Sequence, residues 1–87
     1  MLCVHRLREG LKAERTACIN RIRGLLAEFG LAYAQGPEAL RCVLTDVLED
    51  ASNEMNTLAR LVIQRAQSQW RELDEHIAWC DERIAQH

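Results

Sequence analysis

The 87-residue sequence has little proline and few aromatic residues: one proline, one phenylalanine, one tyrosine and two tryptophans. Because little proline interrupts it and alanine, leucine, arginine and glutamate abound, the composition favours an all-α fold. No uninterrupted apolar run approaches the ~18–20 residues that a membrane-spanning helix needs. A chain of this length makes one domain and buries only about 60–65% of its unfolded surface. We therefore expect one small helical domain that does not span a membrane.

The four cysteines are widely spaced, and none forms the C-x-x-C pattern of zinc ribbons or redox motifs. No signal-peptide pattern precedes them. We expect reduced thiols packed as small apolar side chains, in a cytoplasmic chain without a cofactor or a bound metal. One alternative stays open. In an antiparallel hairpin Cys3 lies at the level of Cys80, with His76 one turn away, and these side chains could hold zinc, or the two thiols could pair.

The apolar residues of the N-terminal third recur on one side of a helix over residues 2–29. They are Val4, Leu7, Leu11, Cys18, Ile22, Leu25 and Phe29. Their spacing is that of an 11-residue repeat, which is typical of a straight or weakly right-handed helix. Gly30 follows as the residue that ends the helix. Gly24 costs the helix interior about 1 kcal/mol relative to alanine, so either another helix or a phosphate or backbone group approaches it closely.

Two further helices follow. Pro37 and Glu38 begin a short helix over 37–50, since proline suits the first helical position and an acidic side chain suits the first turn. Its apolar face is Leu40, Val43, Leu44, Val47 and Leu48. A long helix over 56–85 carries the stripe Leu58, Leu61, Val62, Ala66, Gln69, Leu73, Ile77, Cys80 and Ile84. We expect Trp70 and Trp79 on the flanks of that stripe.

These elements predict a long antiparallel helical hairpin, residues 2–29 against 56–85, with the short helix packed at its turn end. Two helices cannot bury their stripes from all sides, so we expect a homodimer or a higher oligomer. A homodimer would form a four-helix bundle with an isologous interface. The predicted core and dimer interface comprises Leu7, Leu11, Cys18, Ile22, Leu25, Phe29, Leu58, Leu61, Val62, Leu73, Ile77, Cys80 and Ile84.

Charge is distributed unevenly. Residues 1–29 carry six Lys or Arg against three Asp or Glu, whereas residues 30–55 carry one against five. Arg8, Lys12, Arg15 and Arg23 lie on one line that spans about 22 Å, a spacing that suits a phosphate backbone. No aromatic residues interleave with these arginines to stack bases. Spacing alone therefore favours the alternative, a solvated flank whose arginines form ion pairs with Glu72, Glu75 or Glu82 of the third helix.

No arrangement of side chains in the sequence indicates catalysis. The acidic pairs Asp74/Glu75 and Asp81/Glu82 are sequence neighbours, which point about 100° apart on a helix and so read as a solvated face. Ser52 and Ser68 have no His/Asp arrangement and no glycine-rich turn that would make a nucleophile. We therefore expect a protein without enzymatic activity, without catalytic residues and without a small-molecule substrate.

Two stretches resemble a known family. The stretch ERTACINRIRGLLAEFG, residues 14–30, and the weaker match WRELDEHIAWCDERI, residues 70–84, look like the central segment of DEDD (RuvC-like) transposases of bacterial insertion sequences. This family includes the bridge-RNA-guided recombinases. The resemblance covers nearly the whole chain. It implies the helical, coiled-coil insertion between the two catalytic parts, neither of which lies within these 87 residues.

The resemblance implies that this segment helps protomers associate and lies against the guide RNA. By position, Arg15, Asn20, Arg21 and Arg23 match the family pattern, and with Arg8 and Lys12 they are the candidate contacts to RNA or DNA. Met1 stands where the family's proteins are in mid-chain, so we expect either a degenerate or partial reading frame or a defined fragment. The favoured function is self-association in the context of DNA transposition, and the alternative is a nucleic-acid-binding module that uses the basic first helix.

Overall fold

The computed structural model describes residues 2–28, 36–49 and 57–86, and all the regular structure in these ranges is α-helical. Helix α1 spans Leu2–Ala27, α2 spans Pro37–Glu49 and α3 spans Thr57–Ala85. The two long helices pack along each other as a hairpin, and α2 packs against α3. The predicted all-α hairpin is therefore confirmed, with helix bounds within two residues of those expected. Phe29 and Gly30 lie outside the described residues.

One core joins the three helices. The residues of α1 and α2 in this core are Leu11, Cys18, Ile19, Ile22, Leu26, Leu40 and Leu44. Helix α3 supplies Ile63, Ala66, Trp70, Leu73, Ile77 and Cys80. The α3 set alternates spacings of three and four residues, which is the heptad pattern of helices that pack side by side. The predicted faces of α2 and of the C-terminal half of α3 are thus confirmed.

The predicted position of Trp70 was wrong, because its side chain is 2% exposed and lies in the core. Trp79 is 46% exposed, as expected for a flank. Gln69, which the predicted stripe included, is exposed. The buried face of α3 is therefore rotated from the predicted stripe towards Trp70, on the side where α2 contributes Leu40 and Leu44.

The predicted 11-residue repeat of α1 was also wrong. It required Leu7 in the core, but Leu7 is exposed. The half-buried and buried positions of α1 instead include 4, 8, 11, 15, 18 and 22, which again alternate spacings of four and three. Arg8 and Arg15 occupy two of these positions. Because both residues are charged, the spacing of the apolar residues does not reveal them.

Candidate functional site

Arg8 and Arg15 each lie opposite an aspartate of α3. Arg8 Nε donates a hydrogen bond to Asp81 Oδ1 at 2.5 Å, and Arg15 Nη1 donates to Asp74 Oδ1 at 3.3 Å. The predicted ion pairs between the two long helices are confirmed, but the predicted partners were wrong. The glutamates that were expected to pair are exposed and form no ion pair with the described residues: Glu72, Glu75 and Glu82.

The reason for the wrong partners is the register of the hairpin. In both observed pairs the two residue numbers add to 89, against roughly 85 in the predicted hairpin, a difference of about one helical turn. Helical periodicity fixes which face of a helix is apolar, but it does not fix how far one helix slides along the other.

The same shift in register separates the residues considered for zinc. Cys3 is exposed whereas Cys80 is buried, and both are free thiols. Across residues 2–28, 36–49 and 57–86, no group of three His, Cys, Asp or Glu side chains is placed to hold a metal ion. The structure therefore does not bring Cys3, His76 and Cys80 together as a ligand set.

Asp74 connects all three helices. Its Oδ1 accepts the hydrogen bond from Arg15 of α1, and its Oδ2 accepts one from Arg41 Nη2 of α2. The Arg41 guanidinium also lies over the indole ring of Trp70, 4.4 Å from the ring centroid. A cation above an indole face is attracted by the ring quadrupole. One carboxylate and one aromatic ring of α3 thus bind the Arg41 guanidinium, in addition to the core contacts of Leu40 and Leu44 that hold α2 on the hairpin.

Sequence reasoning missed Arg41, although one signal pointed to it. Arg41 is the single basic residue in the acidic block of residues 30–55. A single cationic side chain in an acidic segment indicates a binding partner for that charge on another helix. Trp70 and Asp74 stand four residues apart on α3, so they share a face and offer such a partner.

The candidate nucleic-acid contacts on α1 are largely engaged within the chain. Besides the two arginine–aspartate pairs, Lys12 Nζ lies 3.7 Å from Glu9 Oε1, and Arg21 Nη1 donates to Gln69 Oε1 at 3.1 Å. Asn20 is exposed. Arg23 is half-buried, and its Nε has no hydrogen-bond partner among the described residues. The nucleic-acid interpretation stays a prediction, with most of its cations already paired.

Two ionisable groups respond to these surroundings. The hydrogen bond from Arg8 to Asp81, together with the charge of Asp81, raises the pKa of Arg8 above its usual value. Burial raises the pKa of the Cys18 thiol, whose Sγ lies 3.6 Å from the Ala66 carbonyl oxygen. Cys18 therefore remains a neutral thiol in the core, as expected of a cysteine packed as an apolar side chain.

The residues predicted for the core or dimer interface differ in how far they are buried. Six are buried in the single chain: Leu11, Cys18, Ile22, Leu73, Ile77 and Cys80. Leu25 and Ile84 are half-buried, and Phe29 lies outside the described residues. Four are exposed, so they were wrong as core residues of the single chain: Leu7, Leu58, Leu61 and Val62. Their role at an interface between two chains stays a prediction.

Three of these exposed side chains lie together at the start of α3. Leu58, Leu61 and Val62 are 70%, 56% and 43% exposed. Leu61 also lines a groove of about 630 Å³ along α3, together with Gln69. Arg21 reaches Gln69 from α1, which places the adjacent turn of α1, with Leu25, beside the same groove. The hairpin thus presents an apolar patch at its turn end, which we call the turn-end patch.

The surroundings of Gly24 exclude one of the two expected explanations. Gly24 is exposed, and a Cβ built on it would meet no described atom within 4 Å. None of the described helices passes close to it, so packing against the described residues does not require glycine here.

Replacing Gly24 with alanine should therefore raise the free energy of unfolding by about 1 kcal/mol, because alanine loses less backbone entropy in a helix. Urea denaturation followed by circular dichroism measures this change. Asn20→Ala, at another exposed position of α1, provides the comparison and should change stability by about half as much. A loss of stability in Gly24→Ala would show that a group other than the described residues occupies this position.

None of the described helices is long and apolar enough to cross a membrane. Comparison with known proteins adds no relative from which a role could be transferred: no family model, no curated protein and no solved structure matches the chain.

Proposed function

We propose that this chain is a noncatalytic helical segment that self-associates, and that it belongs to an insertion-sequence transposase of the bacterial cytoplasm. The transposase setting rests on the resemblance of residues 14–30 and 70–84. The four free thiols are in keeping with a reducing compartment. Self-association rests on one observation of the fold, the turn-end patch of Leu58, Leu61 and Val62 on α3.

A second exposed patch makes a second copy of the chain the fitting occupant. Leu7 of α1 and Trp79 of α3 are exposed at the far end of the hairpin. Leu7 precedes Leu25 by 18 residues and Trp79 follows Leu61 by 18 residues, which is five full helical turns, or about 27 Å. Each helix therefore carries an apolar residue at both ends of one side.

A two-fold axis across the middle of this side would bring the turn-end patch of one copy onto Leu7 and Trp79 of the other. Both apolar ends would be covered at once, and the polar groove residues would meet near the axis. Such an interface is isologous and closed, so it gives a dimer and not a filament. The four long helices would then form an antiparallel bundle.

Sedimentation equilibrium tests this proposal. The wild-type chain should be a dimer at tens of micromolar. The double variant Leu58→Lys/Leu61→Lys should be a monomer with unchanged helicity, because exposed charges would be desolvated in the interface but not in the single chain. The double variant Ala78→Lys/Ala85→Lys is the control, since both alanines are exposed on another side of α3 and the added charge is the same.

A substitution in the second exposed patch, formed by Leu7 and Trp79, tests the proposed orientation of the two copies in the dimer. Trp79→Lys should dissociate the dimer as Leu58→Lys/Leu61→Lys does, because the two patches meet in one interface. A wild-type chain that stays monomeric at hundreds of micromolar would overturn the proposal. A dimer that survives both sets of substitutions would place the interface elsewhere and overturn this arrangement.

A further inference from the structure

A cavity of about 170 Å³ lies between α2 and α3, on the side of α3 that packs against α2. Its lining residues come from both helices: Arg41, Leu44, Thr45, Gln67, Trp70 and Arg71. Leu44 and Trp70 are core residues, so the cavity extends to the edge of the core. It opens into a shallower groove, which shares Thr45, Gln67 and Arg71 with it.

The lining contains hydrogen-bond donors that lack acceptors. The indole Nε1 of Trp70 is buried and has no hydrogen-bond partner among the described residues. The Nε of Arg41 is likewise buried and has no hydrogen-bond partner among the described residues, although it forms an ion pair with Glu38 Oε1 at 3.9 Å. A buried donor without an acceptor costs about 1–3 kcal/mol, and few proteins keep one without a reason.

The charge of the lining has one sign. Arg41 and Arg71 are its only ionisable members, and Arg71 forms no ion pair within the described residues. Asp74 neutralises part of the charge of Arg41, but it shares its carboxylate with Arg15. The lining therefore offers several donors and a net positive charge, so a fitting ligand brings oxygen acceptors and negative charge.

The volume limits the size of that ligand. Sites for drug-sized molecules measure about 300–1,000 Å³, and this cavity is smaller. It suits a group of a few atoms. The donors approach from two helices, so they match a tetrahedral oxyanion, which accepts from several directions, and arginine forks are well suited to phosphate oxygens.

We propose that the cavity between α2 and α3 binds an oxyanion of the phosphate class, held by Arg41, Arg71 and the indole N–H of Trp70. The ligand reaches the cavity as free inorganic phosphate or as a backbone phosphate of a nucleic acid. The site is independent of self-association, since it lies on the α2 side of α3 and uses none of the exposed apolar residues.

The two indole N–H signals in a proton–nitrogen correlation spectrum test the proposal on the full chain. Titration with inorganic phosphate should shift the Trp70 signal saturably and leave the Trp79 signal in place. A parallel titration with a short single-stranded oligonucleotide distinguishes the two sources of phosphate, and sodium chloride at equal ionic strength controls for screening. A Trp79→Phe variant assigns the signals.

Arg71→Gln should weaken the Trp70 response about tenfold, through the loss of one charge-assisted hydrogen bond. Arg71 is exposed, so this variant should keep its fold. Arg6→Gln removes the same charge from an exposed site on α1 and should leave the titration unchanged. A saturable, Arg71-dependent shift with either probe supports the site. No shift with either probe, a shift equal to that in chloride, or equal responses in both variants would overturn it.

Discussion

Trp70→Ala is expected to lower the free energy of unfolding by about 3–5 kcal/mol. The ring is 2% exposed and belongs to the core that the three helices share. Its loss would leave a cavity at the place where α2 meets the hairpin and would remove the surface on which Arg41 rests. Small domains of this kind are stabilised by only about 5–15 kcal/mol, so much of that margin would disappear.

Urea denaturation followed by circular dichroism measures this loss at a protein concentration low enough for the chain to be monomeric, because self-association adds to stability and Trp79 lies in the proposed interface. Trp79→Ala is the matched control. The same residue type is removed from the same helix, but Trp79 is 46% exposed, so its loss should cost about 1 kcal/mol or less. Equal losses in the two variants would contradict the burial of Trp70.

Asp74→Ala is expected to cost about 2 kcal/mol, more than an exposed ion pair and less than a buried one. It would leave Arg15 and Arg41 close together without the carboxylate that they share. The two arginine side chains are 36% and 41% exposed, so solvent screens part of the resulting repulsion. Helix α2 should be affected most, since Asp74 and Trp70 are the groups to which Arg41 binds.

Thermal unfolding in low and high salt separates charge from packing. The difference between wild type and Asp74→Ala should shrink at about 1 M salt, where charges are screened within a few ångströms. Glu75→Ala removes the same type of charge from the next residue, which is exposed and has no ion pair among the described residues. A cost for Glu75→Ala as large as that for Asp74→Ala would show that net charge, not the shared carboxylate, matters.

The sequence predicts the three helices because their apolar residues recur with helical spacing and because Pro37 and Glu38 mark a helix start. It predicts the buried face of α3 in the C-terminal half and at Ala66. At the other end, Leu58, Leu61 and Val62 are apolar without being buried in the single chain. Hydrophobicity alone cannot say which partner covers a side chain, so these residues drew the predicted stripe away from Trp70.

The polar contacts could not be predicted from the sequence for a different reason. Arg8 and Arg15 occupy inward-facing places, and their partners depend on how far α3 slides along α1. The shared carboxylate depends further on where α2 lies. These contacts join separate helices. The segments between the helices have no periodic hydrophobic pattern, so the sequence does not indicate how far one helix is displaced along another.

The two arginine–aspartate pairs between the long helices restrict how far one helix can be displaced along the other. Both the arginines and the aspartates are one heptad apart, and apolar heptads alone tolerate sliding by seven residues. A slide in one direction would keep Arg8 on an aspartate, Asp74, and leave Arg15 opposite the uncharged Gln67. A slide in the other would bring Arg15 to Asp81 and take Arg8 past residue 86, the last residue that the structure describes. Among the described residues, the observed alignment places both arginines on aspartates, so these charges favour it over alignments displaced by one heptad.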